Sequence, residues 1–291
     1  MGKFRSLRAL VPTLAAVALA ASMAAWLPGA PLHRLRYGVK PGVRLDGRWV
    51  GGLYPDELRE LVLAQARKVE RSPADARIDP ETGQVVDGSP GLRLDVEATL
   101  ERVRRARVGE RVTSVRVPVP PRWTREHLSR LVHPAGRFAT GIYGSAARQH
   151  NVRKALGHIN NVLVLPGEVF SFNRLMPEYT EQAGWMSAQV IEDGQLIPGV
   201  GGGVCQVSST LYNAVLMAGL KVLERHPHSA PVPYIASGRD ACVAIDPPKD
   251  LKFQNDTPWP VLVKGWLEGS MVTVAIYTVK PGTAVPPDGR T

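Results

Sequence analysis

Two residue types in one short stretch can do covalent chemistry. The stretch GGGVCQVSSTLYNAVLMAGLKVLERHPHS, Gly201 to Ser229, contains Cys205, His226 and His228. A thiolate is a strong nucleophile, and a neighbouring imidazole is the usual means of generating it. The chain has two cysteines, Cys205 and Cys242. Gly201, Gly202 and Gly203 cannot easily continue a helix and permit positive-φ backbone and close approach by another molecule. Cys205 is therefore expected at the first turn of a helix running from Gln206 to about Arg225. Free amides there favour negative charge, and those of Gly203 to Gln206 can hold an oxyanion. The helix dipole contributes about 0.3–1 kcal/mol, less than one pKa unit, so a base is also needed.

His228 is the expected base. A helix of that length spans roughly 30 Å, so the chain must fold back before His228 can reach Cys205. His226, nearest the last turn, is expected to interact with the helix C-terminal dipole. Asp240, in GRDACVAI, can orient an imidazole, which completes a cysteine–histidine–acid order. Simpler roles stand beside these. Arg239 and Asp240 can form a surface ion pair, and Ser208, Ser209 and Thr210 can serve first-turn amides. A Cys205–Cys242 disulfide would close a loop of 38 residues and contribute roughly 4 kcal/mol.

No Gly-Lys-Ser/Thr follows the glycines, so they are not a phosphate loop. No C-x-x-C or zinc-finger spacing is present, and no metal or cofactor is expected. The +10 net charge suits an anionic polymer or membrane face. The basic residues are scattered without interleaved aromatics, so nucleic acid is not an expected partner. At the N-terminus, Lys3, Arg5 and Arg8 precede an uncharged segment, Ala9 to Leu27. This reads as a single-pass anchor in the cytoplasmic membrane, or as a signal peptide if cleaved, and either exports the remainder of the chain.

The elements that must position these residues are mixed. Residues 28–47 read as a linker entering a strand-and-turn region. Pro55 to Glu70 is an amphipathic helix with Leu58, Leu61, Val62 and Ala66 inward, and Asp95 caps a second helix reaching Arg107. Pro80 to Gly83 turns a hairpin, and Arg111 to Val119 alternates as a strand. PVPPR, Pro118 to Arg122, marks a domain boundary. Beyond it, TREHLSRLV reads as a short helix, and Ala146 to Asn161 as another with Ala147, Ala155, Leu156 and Ile159 inward. VLVLPGEVFSFN reads as two short strands around a turn, and Ser187 to Gly199 as a hairpin. APVPYI, DACVAI, DLKFQN, PVLVKGWL and MVTVAIYTV come next as strands. The expected fold is α+β: a small N-terminal α+β domain, then an α+β domain with a central buried helix against a mainly antiparallel sheet. The expected bounds are 1–36 for anchor and linker, 37–120, 121–279, and a loose tail from 280 to 291.

PGEVFSFN, GGGVCQVSSTLYNAVLMAGL, ERHPHS and GRDACVAI…DLKFQN resemble the VanW family of bacterial envelope proteins, over roughly Phe138 to Tyr277. Tyr37 to about Val119 resembles the peptidoglycan-binding domain that often precedes it. The resemblance implies cross-linking of peptidoglycan stem peptides in the manner of an L,D-transpeptidase, with Cys205 as nucleophile, His228 as base and Asp240 behind it. Around them the expected substrate contacts are Gly201, Gly202, Gly203, Gln206, His226 and Arg239, the last as a carboxylate clamp. Where the family pattern usually has Thr after Asp-Ala, this chain has Cys242.

Overall fold

The computed structural model describes residues 31–192 and 194–286. The expected membrane segment, 9–27, lies outside them, as does the end of the expected tail, 287–291. Among the described residues no helix is long and apolar enough to cross a membrane. The chain divides into two units at Pro120/Pro121, and the stretch Asp75–Ser89 groups with the second.

The first unit contains α1 (Pro31–Tyr37), β1 (Arg44–Leu45), β2 (Arg48–Trp49) and α2 (Pro55–Val69). The hairpin of β3 (Arg77–Ile78) and β4 (Val85–Val86) is the piece that groups elsewhere. The first unit resumes with β5 (Gly91–Leu94), α3 (Val96–Arg105), β6 (Arg111–Val112) and β7 (Arg116–Val119). Its two longer helices face each other through Leu58, Val62, Leu100 and Val103, all nearly inaccessible to solvent. Asp95 caps α3 by accepting from the Ala98 amide at 2.9 Å. The expected continuous strand from Arg111 to Val119 is broken. The Ser114 amide and hydroxyl both bond Asp46, at 3.0 and 2.7 Å, and the Val115 amide bonds Thr99 Oγ1. Side chains thus take the amides a sheet ladder would have used.

In the second unit, α4 (Arg125–Ser129) leads to β8 (His133–Gly141) and α5 (Ala146–Ile159). Then come β9 (Val162–Val164), β10 (Val169–Ser171), α6 (Phe172–Leu175), β11 (Ser187–Glu192), β12 (Gln195–Val200), α7 (Val204–Met217) and β13 (Lys221–Glu224). The chain closes with β14 (Lys252–Gln254), β15 (Val261–Glu268) and β16 (Met271–Thr278). The main sheet is antiparallel in the order β8-β16-β15-β9, and a smaller one runs β10-β14-β13. β9 and β10, expected to flank one turn, therefore join different sheets. Helix α7 packs on β8 and β16, and α5 on β15. From α7 itself, Val207, Leu211, Ala214 and Val215 are completely buried. The molecule is α+β, with α7 central to the second unit.

Two expectations about this region are corrected. The central helix stops at Met217, well short of Arg225. Gly219 takes φ +70, its amide bonds the Leu216 carbonyl, and the Leu220 amide bonds that of Val215. This Schellman closure ends the helix, and Leu220 seals it as a buried apolar contact. Leu216 and Met217, in its last turn, are exposed. The expected strand APVPYI is turn and irregular backbone, and DACVAI carries isolated bridges only, Cys242 with His226 and Ala244 with Lys249.

Candidate active site

The early helix end is what assembles the site. Fourteen residues of α7 rise about 21 Å, and an extended chain at about 3.3 Å per residue recovers that distance in about seven residues. From Lys221 the chain runs back along α7 as β13, and His228 arrives beside the N-terminus. One ligating atom each from Cys205, His228 and Cys242 lie within 4.8 Å of one another. Both cysteines are free thiols, so the disulfide expected as an alternative is not formed.

The segment Asp240–Val243 is clamped onto α7 by the serines of its first turns. Ser208 Oγ donates to the Ala241 carbonyl at 2.6 Å. Ser209 Oγ accepts from the Ala241 amide at 2.8 Å and donates to the Cys205 carbonyl at 2.7 Å. One turn further along, Asn213 Nδ2 donates to the Arg239 carbonyl at 2.7 Å. The Val243 amide approaches Cys205 Sγ at 3.5 Å, and the Val243 carbonyl lies 3.4 Å from the same sulfur. The Cys242 amide donates to the His226 carbonyl at 2.7 Å, which ties the histidine segment to the second cysteine.

His228 is held on two sides by one carboxylate. Asp240 Oδ2 accepts from the His228 amide at 2.7 Å and from Nδ1 at 2.6 Å. Oδ1 accepts from Arg225 Nη2 at 2.8 Å, and Arg225 Nε donates to the Asp240 carbonyl. Burial raises the Asp240 pKa, but the His228 amide and ring together bring it below the usual value. An ionised carboxylate only accepts, so Nδ1 carries the ring proton and Nε2 is left as the basic nitrogen. The His228 side chain is 7% exposed.

The sulfurs are not equivalent. The hydrogen bond with Cys242, together with burial, raises the Cys205 thiol well above its ordinary range, against a lowering field from Arg148. The same hydrogen bond lowers Cys242 to about 6, helped by His228 and Lys249. Within the pair the proton is therefore favoured on Cys205 and negative charge on Cys242. The sequence had pointed to Cys205 alone as the anion.

The other expected site residues divide. Gly202 and Gly203 admit close approach, but of the protein's own backbone. A Cβ on Gly202 would meet the Gln189 carbonyl oxygen at 2.7 Å, and Gly203 caps α7 with φ +110 against Val152 and Arg148. Gly201 packs on the Tyr179 ring. Of the expected oxyanion amides, those of Val204 and Gln206 are taken by the Gly201 and Gly203 carbonyls. The Gln206 side chain is buried and fully occupied. It donates to Thr140 Oγ1 and the Gly141 carbonyl and accepts from Arg148 Nη2 at 2.9 Å, so it positions Arg148 and does not face a substrate. His226 is away from any helix end and bonds Glu224 at 3.0 Å. Arg239 is exposed, and its carbonyl is bound at Asn213, about 12 Å along α7 from Cys205.

Three neighbours escaped the sequence reading. Arg148, from α5, stacks over the Tyr234 ring at 5.9 Å and acts electrostatically on Cys205. Burial, and next the proximity of the Cys205 sulfur, push the Tyr234 and Tyr179 hydroxyls well above their usual range. Nothing local in SAARQHN or PYI marks these residues; only the fold brings them in. A fourth, Asn151, is a buried polar residue in mid-helix, which is itself a signal. Its Nδ2 donates to the Met186 and Gly202 carbonyls, and its Oδ1 accepts from the Met186 amide. It thereby fixes the glycine loop.

Comparison with known proteins agrees with this architecture. Residues 147–277 match the family described as "VanW like protein", and residues 53–113 match the "Putative peptidoglycan binding domain". The chain is 36% identical over 217 residues to "Uncharacterized protein YoaR" of Bacillus subtilis (strain 168), covering 73% of this chain and 71% of that one. It is 32% identical over 112 residues to "Vancomycin B-type resistance protein VanW" of Enterococcus faecalis (strain ATCC 700802 / V583), covering 37% of this chain and 40% of that one. No solved structure matches. With a peptidoglycan-binding domain ahead of the domain that carries the cysteines, this is a cell-envelope protein, and the chain belongs to the VanW family.

Proposed function

We propose that the chain is an extracytoplasmic cell-wall enzyme that transfers acyl groups between peptidoglycan stem peptides through a cysteine thioester. One observation carries the reading: Cys205 Sγ and a ring nitrogen of His228 lie within 4.8 Å, with Asp240 on His228 Nδ1. That is the nucleophile, base and orienting acid of an acyl-transfer site. The resemblance to the VanW family supplies the substrate class, and the matched peptidoglycan-binding domain supports it.

In this reading the Cys205 proton passes to the neighbouring base, and the sulfur adds to the carbonyl carbon of a stem-peptide bond to a D-residue. The tetrahedral intermediate collapses and the C–N bond breaks. The D-residue leaves as an amine, taking its proton from the imidazolium. A side-chain amine of a second stem then attacks the thioester, a new amide forms and the sulfur is released. Arg148, held by Gln206 and stacked on Tyr234, replaces Arg239 as the group placed to receive a substrate carboxylate.

The test is mass spectrometry of the intact protein after incubation with defined muropeptides. A covalent adduct of stem-peptide mass is expected on the parent chain, retained in Arg239→Ala and absent in Cys205→Ala. An adduct that persists in Cys205→Ala and disappears in Cys242→Ala would move the nucleophile to the second sulfur. Muropeptide binding with no adduct on any form would make this a wall-binding protein without chemistry.

A further inference from the structure

No metal-ligand spacing is legible in the sequence, yet the fold brings two sulfurs and one imidazole from positions 205, 242 and 228 into a single cluster. We propose that Cys205, Cys242 and His228 form a binding site for a thiophilic divalent cation of the zinc class, with a fourth position open. Two thiolates and one neutral imidazole are the donor set such an ion prefers. Tetrahedral bonds of about 2.3 Å to sulfur and 2.0 Å to nitrogen place ligand atoms about 3.5–3.8 Å apart. The three atoms already lie within 4.8 Å, so closure asks each to move by about 1 Å.

The surroundings are those of a ligating histidine. Asp240 takes the Nδ1 proton of His228 and fixes the ring, which leaves Nε2 to serve as ligand. Arg225 in turn fixes Asp240 through Oδ1 and the main chain. Both cysteine ligands sit on backbone that is pinned. Ser208 and Ser209 hold Ala241 to α7, and the Cys242 amide is tied to His226. The hydroxyl of Tyr179 is buried without a hydrogen-bond partner and is electrostatically coupled to Cys205.

Binding of the cation is independent of the acyl-transfer reading. Its consequence rests on that reading: a thiolate whose charge is drawn to a bound cation is a weaker nucleophile toward a carbonyl, so loading slows the reaction and removal of the cation restores it.

The experiment is a cobalt titration of the full chain, kept reduced with a phosphine and stripped of metals, followed by optical absorption. One equivalent of Co²⁺ is expected to give a sulfur-to-cobalt charge-transfer band with tetrahedral visible transitions, both erased by Zn²⁺. Cys242→Ser should halve the charge-transfer intensity, and Asp240→Asn should weaken affinity about 10- to 100-fold. Cys205→Ser serves as the second thiol variant should Cys242→Ser fail to fold by circular dichroism. A missing band in protein whose two thiols titrate as free would overturn the proposal, as would a band unaltered in both cysteine variants. Muropeptide adducts on the metal-free chain separate the two readings. Adduct without cobalt binding refutes only the metal site, and cobalt binding without adduct refutes only the acyl transfer.

Discussion

The two units solve the problem of burying a small core in opposite ways. The first unit buries twelve apolar residues in its cluster and, among the described residues, only Thr99 and Ser114 as inaccessible polar ones. The second unit buries Thr140, Asn151, Asn161, Gln206, Ser208, Ser209, Thr210, Asn213, Asp240, Asp250, Asn255 and Thr273. Most of these cluster on the first turns of α7 and the segments bound to them. A buried polar group is costly unless its hydrogen bonds are made, and once made they fix geometry that apolar packing leaves loose. The first unit needs only to be folded. The second also holds two sulfurs and an imidazole within 4.8 Å of one another, and its polar interior does that.

The sharpest way to break this contrast is Asn151→Leu. Branching and heavy-atom count are kept, but the Met186 amide and the Gly202 carbonyl lose their partners, and the Met186 carbonyl keeps only the Gly201 amide. At about 1–3 kcal/mol for each stranded group, the second unit should lose roughly 3 kcal/mol or more, with loss of any Cys205 adduct. Urea denaturation reads the first, and a change under about 1 kcal/mol would show that the glycine loop does not depend on Asn151.

Leu58→Ala probes the other unit. Leu58 is 2% exposed between α2 and α3, and a Leu-to-Ala cavity typically costs about 2–5 kcal/mol. Hydrogen exchange should accelerate in α2 and α3 while any adduct at Cys205 is retained. Lost chemistry would mean that the apolar unit also tunes the site.

The smallest effect is electrostatic. Glu224 is lowered from its ordinary 4.5 to about 2, first by the Lys252 hydrogen bond and then by His226 and the Asp250 amide. A carboxylate whose pKa falls on folding stabilises the protein above the unfolded value, and the benefit disappears as pH falls from about 4.5 to about 2. Denaturation midpoints should drop over that window, and Glu224→Gln should flatten the drop. Glu57 in the first unit is lowered to about 2 as well, by Arg34, but it faces solvent. Glu57→Gln should leave the midpoint in moderate salt unchanged within error.

Much of this was legible in the sequence, for identifiable reasons. Helix α2 declared itself through Pro55, its acidic first turn and the spacing of Leu58, Val62 and Ala66, and Asp95 marked the start of α3. The glycines marked the start of α7, and Cys205, His228 and Asp240 do converge. The end of α7 was misread because the apolar run continues through Val222 and Leu223. Gly219 followed by Leu220 was the available signal of a helix stop. Cys242 read as part of a strand because DACVAI alternates, yet its neighbours are held by helix serines and not by a ladder. Arg148 had no local signature, since the Gln206 it bonds lies 58 positions away, and Asn151 was signalled only as a polar residue in mid-helix.

The Schellman turn at Gly219 makes the site a matter of arc length. Cys205 lies at one end of a rigid rod and His228 on a tape laid back along it, so their meeting requires rod and tape to match. Adding one residue to the rod, or removing one from the tape, would shift the imidazole by several ångströms relative to both sulfurs, enough to unmake the constellation without disturbing a single one of its members. The reach from Ser229 to Gly238 carries no such accounting, because Ser208, Ser209 and Asn213 fix Arg239 to Ala241 directly on the rod. Related chains are therefore free to lengthen that excursion while being held to the same count between Cys205 and His228.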